Sequence, residues 1–263
     1  MTPSQPAPRR TRYVGIVVPV HDEEELLGGA LVALEAAVNQ VVENIPCHIV
    51  LVYDECRDRS REIGSEWRRN LRRCGVAQLV SEIEIHAGNV GSARRAGCAL
   101  VLSAAAETNV LPGSIWLATT DADSSVPTHW LSTQIASHEA GADVWSGTVV
   151  VHDWTHRADG TRAEWLRLYE AELDPVHGAS LGINGQVYVD AGQFQQMISG
   201  EDRALLSAAS ALGACCHYVR TAPVVTSARR QARAPHGFAS ALQRVEEKVR
   251  LGRGPSVLED LPA

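Results

Sequence analysis

The strongest constraint on the fold is a regular alternation of short apolar segments and longer amphipathic segments between residues 13 and 140. Short apolar segments rich in β-branched residues are typical of buried parallel strands, and they occur at residues 13–18, 48–53, 78–85 and 115–119. The segments that follow them have helical apolar spacing or strong helix formers, and they predict helices at residues 23–40, 58–74, 91–107 and 127–140. This order predicts an α/β fold with a doubly wound, mainly parallel sheet.

The pattern is less regular beyond residue 143, where strands, helices and loops are mixed. A glycine-rich segment at 177–185 predicts a loop, since glycine lets the backbone approach a ligand closely. The other predicted elements are strands at 143–151 and 217–225, a polar loop at 152–162, and helices near 163–172, 190–198, 201–213 and 237–251. Residues 1–11 predict a disordered tail, and residues 12–263 predict a single domain.

The basic residues exclude several classes of protein. Of the 24 basic residues in this chain of 263, only Lys248 is a lysine, and no Gly-Lys-Ser or Gly-Lys-Thr sequence occurs. A Walker-type phosphate loop is therefore excluded, and neither a Schiff-base enzyme nor a phosphatase that needs a mid-chain lysine is expected. The formal net charge of −7 argues against a nucleic-acid partner, because nucleic-acid-binding proteins carry a basic surplus.

Apolar runs and cysteines indicate the compartment. No apolar run reaches the ~18 residues that a membrane span requires, and no secretory-type run follows the N-terminal arginines. We therefore expect a cytoplasmic protein without a transmembrane segment. The six cysteines include no Cys-X-X-Cys pair, so we expect free thiols that behave as small apolar residues.

Acidic residues follow three of the four predicted N-terminal strands. Ligands of doubly wound sheets bind beyond the carboxyl ends of the parallel strands, so the residues directly after each strand are the candidates for a site. These residues are 19–24, 54–55, 86–91 and 121–123. Several carboxylates at one edge, together with a phosphate-bearing ligand, imply a divalent cation between them.

The sequence Asp121-Ala122-Asp123 is the main candidate for that cation site. It directly follows a buried strand, where two carboxylates one residue apart can point to the same side of a turn. Mg²⁺ and Mn²⁺ prefer oxygen ligands, and their remaining positions can take diphosphate oxygens. The alternative is a turn in which Asp121 hydrogen-bonds to its own backbone.

Six segments resemble, in order, the motifs of one enzyme family. They are Val-Val-Pro-Val-His-Asp-Glu-Glu (17–24), Val-Tyr-Asp-Glu-Cys-Arg-Asp (52–58), Asn-Val-Gly-Ser-Ala-Arg-Arg-Ala-Gly (89–97), Thr-Asp-Ala-Asp-Ser (120–124), Glu-Asp (201–202), and Thr-Ser-Ala-Arg-Arg with Gly-Phe (226–230 and 237–238). With these motifs the chain resembles the family 2 glycosyltransferases over nearly its whole length.

Five positions depart from the family pattern. Asp22 stands where asparagine is usual, and Tyr53 replaces the first aspartate of the second motif. Glu55-Cys56 replaces Gly-Ser in the same motif, and Arg95 stands where asparagine is common. These departures bear on nucleobase and sugar specificity more than on the type of reaction.

The resemblance implies a fold, a reaction and a cofactor. The fold would be glycosyltransferase A, the nucleotide-diphospho-sugar transferase fold, with a nucleotide-binding half at 12–123 and an acceptor half, a C-terminal lobe, at 124–263. The reaction would be an inverting sugar transfer from a UDP- or GDP-type donor to an acceptor hydroxyl, with Mg²⁺ or Mn²⁺ as cofactor. The sequence identifies neither the sugar nor the acceptor.

The resemblance also implies roles for residues on the donor side. Asp54 would accept a hydrogen bond from the nucleobase. Gly91 and Arg94 would lie near the ribose and the diphosphate. The first nucleotide loop would be shaped by Pro19, His21 and Glu23.

Further residues would serve the metal and the chemistry. Asp121 would lie by the ribose and the metal, and Asp123 would be a metal ligand. Asp202 would be the general base, and Arg229 would balance the charge of the diphosphate. His236 is either a third metal ligand, as in some relatives of this fold, or a loop histidine.

Simpler roles for the same residues remain open. Asp54 could cap the helix that follows it, and Asp202 could be a first-turn acid favoured by the helix dipole. Arg94 and Arg95 could lie on a solvated helix surface. The arginines within 68–73 form either a solvated face or a peripheral contact with an anionic membrane.

Two other functions also remain open. A nucleotidyltransferase that makes a nucleotide sugar would need a glycine-rich basic loop after the first strand, where this chain has His21-Asp22-Glu23-Glu24. A non-catalytic nucleotide-sugar-binding protein is suggested by the altered second motif.

Overall fold

Seven strands form one sheet in the computed structural model, which describes residues 9–73, 79–227 and 238–251. In chain order they are β1 (Tyr13–Val20), β2 (Cys47–Asp54), β3 (Leu79–Ile85), β4 (Ile115–Thr119), β5 (Val144–Val151), β6 (Leu181–Asn184) and β7 (Cys216–Thr226). Across the sheet the order is β3-β2-β1-β4-β6-β5-β7, with β6 antiparallel to both of its neighbours. The predicted α/β class with a mainly parallel sheet is confirmed.

The helices cover both faces of the sheet. They are α1 (Leu27–Asn39), α2 (Ser60–Arg73), α3 (Val90–Glu107), α4 (Trp130–Glu139), α5 (Thr161–Ala171), α6 (Gly185–Asp190), α7 (Glu201–Ala211) and α8 (Phe238–Arg250). Alternate residues of β1 point to opposite faces, as a strand requires. Val14, Ile16 and Val18 belong to the core on the α1 side, and Val17 belongs to the core on the α3 side.

The glycine-rich segment at 177–185 is the largest error of the sequence-based fold prediction. It was expected to be a loop, but its second half is β6, which pairs with β4 and β5 inside the sheet. Gly182 lies so close to the Trp116 ring that a Cβ at this position would overlap with the ring. The glycine therefore allows the tryptophan to pack against the strand. The high glycine content of this segment had indicated a loop.

The predicted helix near 190–198 is also wrong. The helix in this region is α6, which begins five residues earlier and ends at Asp190. Gly192 and Gln193 have φ angles of 86° and 65°, which a right-handed helix does not allow. The chain from 191 to 200 is therefore an irregular segment that leads into α7.

The first described residues are fixed to the rest of the fold, and the described helices have no membrane-spanning character. Residues 1–8 of the predicted tail lie outside the described residues, while Arg9 forms an ion pair with Asp143 and the Thr11 N–H donates to Glu139. None of the helices in the described ranges has the length and apolar character needed to cross a membrane.

Candidate active site

A cavity of about 620 Å³ opens at the carboxyl ends of the central parallel strands. Residues at or just beyond the ends of β1, β2 and β4 line one side of it, namely His21, Asp54, Asp121 and Asp123. Asp202, from the first turn of α7, lines the same cavity. The topology thus brings acids from both halves of the chain around one space.

The end of β1 contributes Pro19 to the cavity lining, and the loop after it contributes His21 and Glu23. The imidazole Nδ1 of His21 lies 2.6 Å from the backbone carbonyl oxygen of Asp54, so it donates to that oxygen. This hydrogen bond joins the end of β1 to the end of β2. The same bond fixes the orientation of the ring at the edge of the cavity.

The other acids of this loop hold the start of α2. Asp22 accepts hydrogen bonds from the Arg57 and Asp58 N–H groups, at 2.7 and 3.3 Å. Glu24 donates its N–H to Asp58 and accepts from the Arg59 N–H. Asp22 has a φ of 50°, an uncommon conformation for a residue other than glycine. Asp22 and Glu24 therefore build the loop and are not part of the cavity lining.

Asp54 holds the loop that precedes α3. Its Oδ1 accepts from the N–H groups of Ala87 and Gly88, at 2.8 and 3.1 Å, and its Oδ2 accepts from the Asn89 N–H at 3.0 Å. The carboxylate still lines the cavity. Three backbone donors thus fix its position, and the helix that it supports is α3, not the α2 helix that follows it in the chain.

Tyr53, which replaces a family aspartate, points away from the cavity. It is buried, and its hydroxyl donates to Glu82 at 3.0 Å. Ser65 donates to the same carboxylate, and Arg68 forms an ion pair with it at 2.9 Å. The substitution at this position therefore serves the packing of α2 against the sheet edge.

Arg94 links the two halves of the site from a buried position on α3. Its guanidinium donates to Asp121 at 2.6 Å and forms an ion pair with Glu201. Burial alone would lower the pKa of Arg94, but the carboxylates of Asp121 and Glu201 raise it above its usual value. Arg94 is therefore a fixed cation between the end of β4 and the start of α7, not a solvated surface residue.

The Asp202 carboxylate is held by two backbone donors. Its Oδ2 accepts from the Gly178 N–H at 2.7 Å, and its Oδ1 accepts from the Arg203 N–H at 2.8 Å. Burial, with the neighbouring Glu201 carboxylate, raises the pKa of Asp202 to about 6. An acid with this pKa can accept a proton near neutral pH.

The donor atoms of Asp121 and Asp123 fit a divalent metal. Both carboxylates line the cavity, and oxygen is the ligand that Mg²⁺ and Mn²⁺ prefer. Within the described ranges, no group of three or more His, Cys, Asp or Glu side chains is arranged to hold a metal ion. The remaining ligands would therefore come from oxygens outside this set, such as diphosphate and water.

Of the three other predicted site residues, only Gly91 belongs to the part of the chain that the structure describes. Gly91 lies behind the cavity wall, with its backbone against the carbonyl oxygen of Gln195. Arg229 and His236 lie outside the described residues. Their predicted roles with the diphosphate and the metal stay predictions.

The part of the chain after residue 124 contributes several apolar side chains to the cavity wall. His177 lies in this wall, donates to or accepts from the Tyr169 hydroxyl at 2.7 Å, and has a pKa lowered to about 3 by burial and by the Arg203 charge. It is therefore neutral and does not compete with Asp202 as a charged group. The apolar residues of the wall include Val149, Val176, Met197, Ile198 and Phe238.

Glu201, Thr119 and Gly178 support the site, although the sequence assigned no role to any of them individually. Glu201 stands in the Glu-Asp motif beside Asp202, and this adjacency was a usable signal. Gly178 lies in the segment expected to be an acceptor loop. Thr119 is the last residue of β4, and no local pattern distinguishes it from an ordinary strand residue.

Solved structures of glycosyltransferase A enzymes share this fold. The mannosyltransferase PcManGT from Pyrobaculum calidifontis, in complex with GDP-Man and Mn²⁺, matches with a TM-score of 0.60 and 15% identity over 98% of this chain and 71% of that chain. Residues 1–349 of S. aureus TarS, in complex with UDP-GlcNAc, match with a TM-score of 0.57 and 15% identity over 94% and 68%. Glucosyl-3-phosphoglycerate synthase from Mycobacterium tuberculosis, in complex with Mg²⁺ and UDP, matches with a TM-score of 0.52 and 11% identity over 93% of this chain and 81% of that chain.

The sequence itself identifies the family. The model of glycosyl transferase family 2 matches residues 15–187, which is more than half of the chain. The chain therefore belongs to glycosyl transferase family 2, and it is a glycosyltransferase. Among the curated proteins, none matches this sequence.

Proposed function

We propose that the protein transfers a sugar, with inversion, from a nucleoside-diphosphate donor to an acceptor hydroxyl. The observation that carries the proposal is that Asp121, Asp123 and Asp202 line one cavity, although they come from different halves of the chain. The UDP- and GDP-type ligands of the similar structures support a donor of the same chemical class for this chain. The acceptor enters from the side of α7.

Asp202 is the general base in this proposal. It takes the proton from the acceptor hydroxyl, whose oxygen forms a bond to the anomeric carbon of the sugar. The bond from that carbon to the diphosphate oxygen breaks, and the diphosphate leaves with the electron pair. A single displacement on the face opposite the leaving group inverts the anomeric centre. It needs only one carboxylate, the base, because the diphosphate leaves as an anion and no acid has to protonate it.

Asp121 and Asp123 serve the leaving group. They would hold a divalent cation, Mg²⁺ or Mn²⁺, which supplies positive charge beside the departing diphosphate when it is bound. Arg94 keeps Asp121 in place, and its charge lies at the same end of the cavity. Arg229 is proposed to add a second positive charge.

The nucleoside is proposed to bind against the loops after β1 and β2. Pro19, His21 and Glu23 form one wall, and Asp54 fixes the opposite loop and offers the nucleobase a carboxylate edge. Gly91 follows that loop in the first turn of α3. Because three backbone donors hold Asp54, the loop is preorganised before the donor binds.

The acid-rich loop after β1 does not favour a nucleotidyltransferase. A triphosphate would need basic or glycine-rich backbone donors there, but Glu23 lines the cavity at that point. Asp22 and Glu24 use their oxygens to hold α2. Pyrophosphate release from a nucleoside triphosphate and a sugar phosphate would nevertheless overturn the proposal.

The experiment is a donor and acceptor screen with product analysis. The protein is incubated with UDP- and GDP-sugars, a panel of alcohols and sugars, and Mn²⁺ or Mg²⁺, and nucleoside diphosphate release is measured. We expect transfer with an inverted anomeric configuration in the proton NMR spectrum of the product. A product of retained configuration, or tight donor binding without any transfer across the panel, would contradict the proposal.

A further inference from the structure

One hydrogen-bonded chain connects the end of β4 to the proposed base. Thr119, the last residue of β4, donates its hydroxyl to the Gly178 carbonyl oxygen at 2.6 Å. The Gly178 N–H then donates to the Asp202 carboxylate at 2.7 Å. These contacts join segments that are 59 and 24 residues apart in sequence, so no local turn accounts for them.

Arg94 forms a second connection between the same two places. It bonds to Asp121, two residues after Thr119, and to Glu201, directly before Asp202. Its guanidinium also lies against the Cα of Gly178, where a Cβ would overlap with it. The strand end that carries the donor-side carboxylates is thus tied to the start of α7 through two parallel routes.

We propose that Thr119 is a positioning residue for the transfer reaction: through Gly178 it fixes the Asp202 carboxylate relative to Asp121 and Asp123. This inference rests on the proposed role of Asp202 as the base. The physical reason is that a proton acceptor displaced by a fraction of an ångström loses rate, although the donor still binds. The expected signature is therefore a loss in kcat without a loss in donor affinity.

Thr120 provides a matched control one residue away. Thr119 and Thr120 are both buried at the end of β4. Among the described residues, however, the Thr120 hydroxyl has no hydrogen-bond partner. Replacing each by valine removes one hydroxyl and keeps the β-branched shape, so the two variants differ only in the bond to Gly178.

The experiment compares Thr119→Val, Thr119→Ser and Thr120→Val with the unaltered protein. Turnover is measured at saturating donor and acceptor, and donor affinity is measured by calorimetry. We expect kcat to fall about tenfold in Thr119→Val because the buried Gly178 carbonyl loses its donor. Donor affinity is expected to stay unchanged, and Thr119→Ser and Thr120→Val are expected to keep kcat within about twofold.

Equal turnover in Thr119→Val and Thr120→Val would overturn the inference. So would an equal loss of kcat in Thr119→Ser and Thr119→Val, because the methyl group and not the hydroxyl would then be responsible. If Thr119→Val does not fold, Thr119→Cys replaces it with the same expectations, since a thiol is a weak donor. Full turnover in Asp202→Asn is a different result, which refutes the proposed base and with it the role of Thr119 in positioning that base.

Discussion

At the scale of single residues, the site depends on a carboxylate whose surroundings oppose its charge. Asp202 lies beside the buried Glu201, and both burial and this neighbour raise its pKa, while Arg94 and two backbone N–H groups limit the rise. The balance gives a carboxylate that is ionised at neutral pH but still binds a proton well. A surface aspartate with an ordinary pKa would be a weaker proton acceptor.

The pH dependence of the rate should report this group. Because the pKa of Asp202 is about 6, kcat/KM should reach a plateau above that pH and fall tenfold per unit below it. Replacing Glu201 by glutamine removes a negative charge, which lowers the pKa of Asp202 and moves the acidic limb to lower pH. Nucleoside diphosphate release, measured from about pH 4.5 to about pH 8, checks both the profile of the unaltered protein and its shift in Glu201→Gln.

The exposed Asp190 gives the control for that experiment. Asp190→Asn should leave the midpoint of the acidic limb of the kcat/KM profile at the same pH as in the unaltered protein. A midpoint that stays in place in Glu201→Gln would show that another group controls the profile.

Gly178 should tolerate no side chain. Alanine there would place a Cβ against the Arg94 guanidinium, which Asp121 and Glu201 hold in place. We expect Gly178→Ala to lower kcat at least about tenfold and to destabilise the fold by about 1–3 kcal/mol, as overpacking does. Urea denaturation and turnover measure the two effects.

An alanine at Gly29 is the matched control, because an added Cβ meets no atom within 4 Å there. Gly29→Ala should leave turnover unchanged and stabilise α1 by about 0.5–1 kcal/mol. A Gly178→Ala protein with full turnover would show that the Arg94 contact does not constrain the site.

At the scale of elements, α8 is fastened to the loop before α5. The buried Glu246 accepts from the Arg157 guanidinium at 3.1 Å and from the Ala158 N–H at 3.0 Å. The Phe238 ring, at the start of α8, packs edge-on against Trp165 with ring centroids 5.0 Å apart. These contacts place Phe238 in the cavity wall, so this C-terminal helix contributes to the site.

Removing this carboxylate should loosen α8 without touching the reacting groups. Glu246→Ala leaves a buried guanidinium and a backbone N–H without this acceptor, which should cost about 3 kcal/mol of stability. The exposed neighbour Glu247 is the control, and Glu247→Ala should change stability by less than about 0.5 kcal/mol. Urea denaturation of the two variants makes the comparison, and equal stabilities would contradict the anchoring role.

The elements also show how far the sequence could predict the fold. The N-terminal strands and helices have strong periodic patterns, and β4 has the predicted bounds, residues 115–119. The short strand β6 could not be predicted because its Gly182 serves packing against Trp116, a contact that sequence does not show. The prediction of a helix near 190–198 was wrong because Gln193, an ordinary helix former, adopts a φ of 65° after Gly192.

The site was predictable only in part, for a related reason. Motif order pointed to Asp121, Asp123 and Asp202, and all three line the cavity. The supports of these residues depend on long-range contacts, such as the bonds from Thr119 to Gly178 and from Arg94 to Glu201. The sequence also gave no indication that Tyr53 packs away from the cavity.

At the scale of the whole molecule, one sheet brings residues from both halves of the chain to one cavity. The ends of the parallel strands β1, β2 and β4 place Asp54, Asp121 and Asp123 there, and Asp202 lines the same cavity from the first turn of α7. A ligand that fills the cavity therefore contacts both halves of the fold. Such a ligand should stabilise the molecule through mass action.

Thermal unfolding should show this dependence on metal and nucleotide together. UDP or GDP with Mn²⁺ at about 100 times its Kd should add about 2.7 kcal/mol of stability and raise the Tm. The nucleotide without the metal should raise it much less. Asp123→Asn should lose most of the metal-dependent increase, and an increase unaffected by this variant would contradict the proposed metal site.

The most direct test of the proposed mechanism separates donor binding from sugar transfer in one variant. Asp202→Asn keeps the size of the side chain but removes the proton acceptor, while Asp121 and Asp123 are untouched. If Asp202 is the base, we expect an unchanged donor Kd with Mn²⁺ and a loss of turnover of at least about 100-fold, the range for removal of a general base. Turnover close to that of the unaltered protein, with the donor bound equally well, would contradict it.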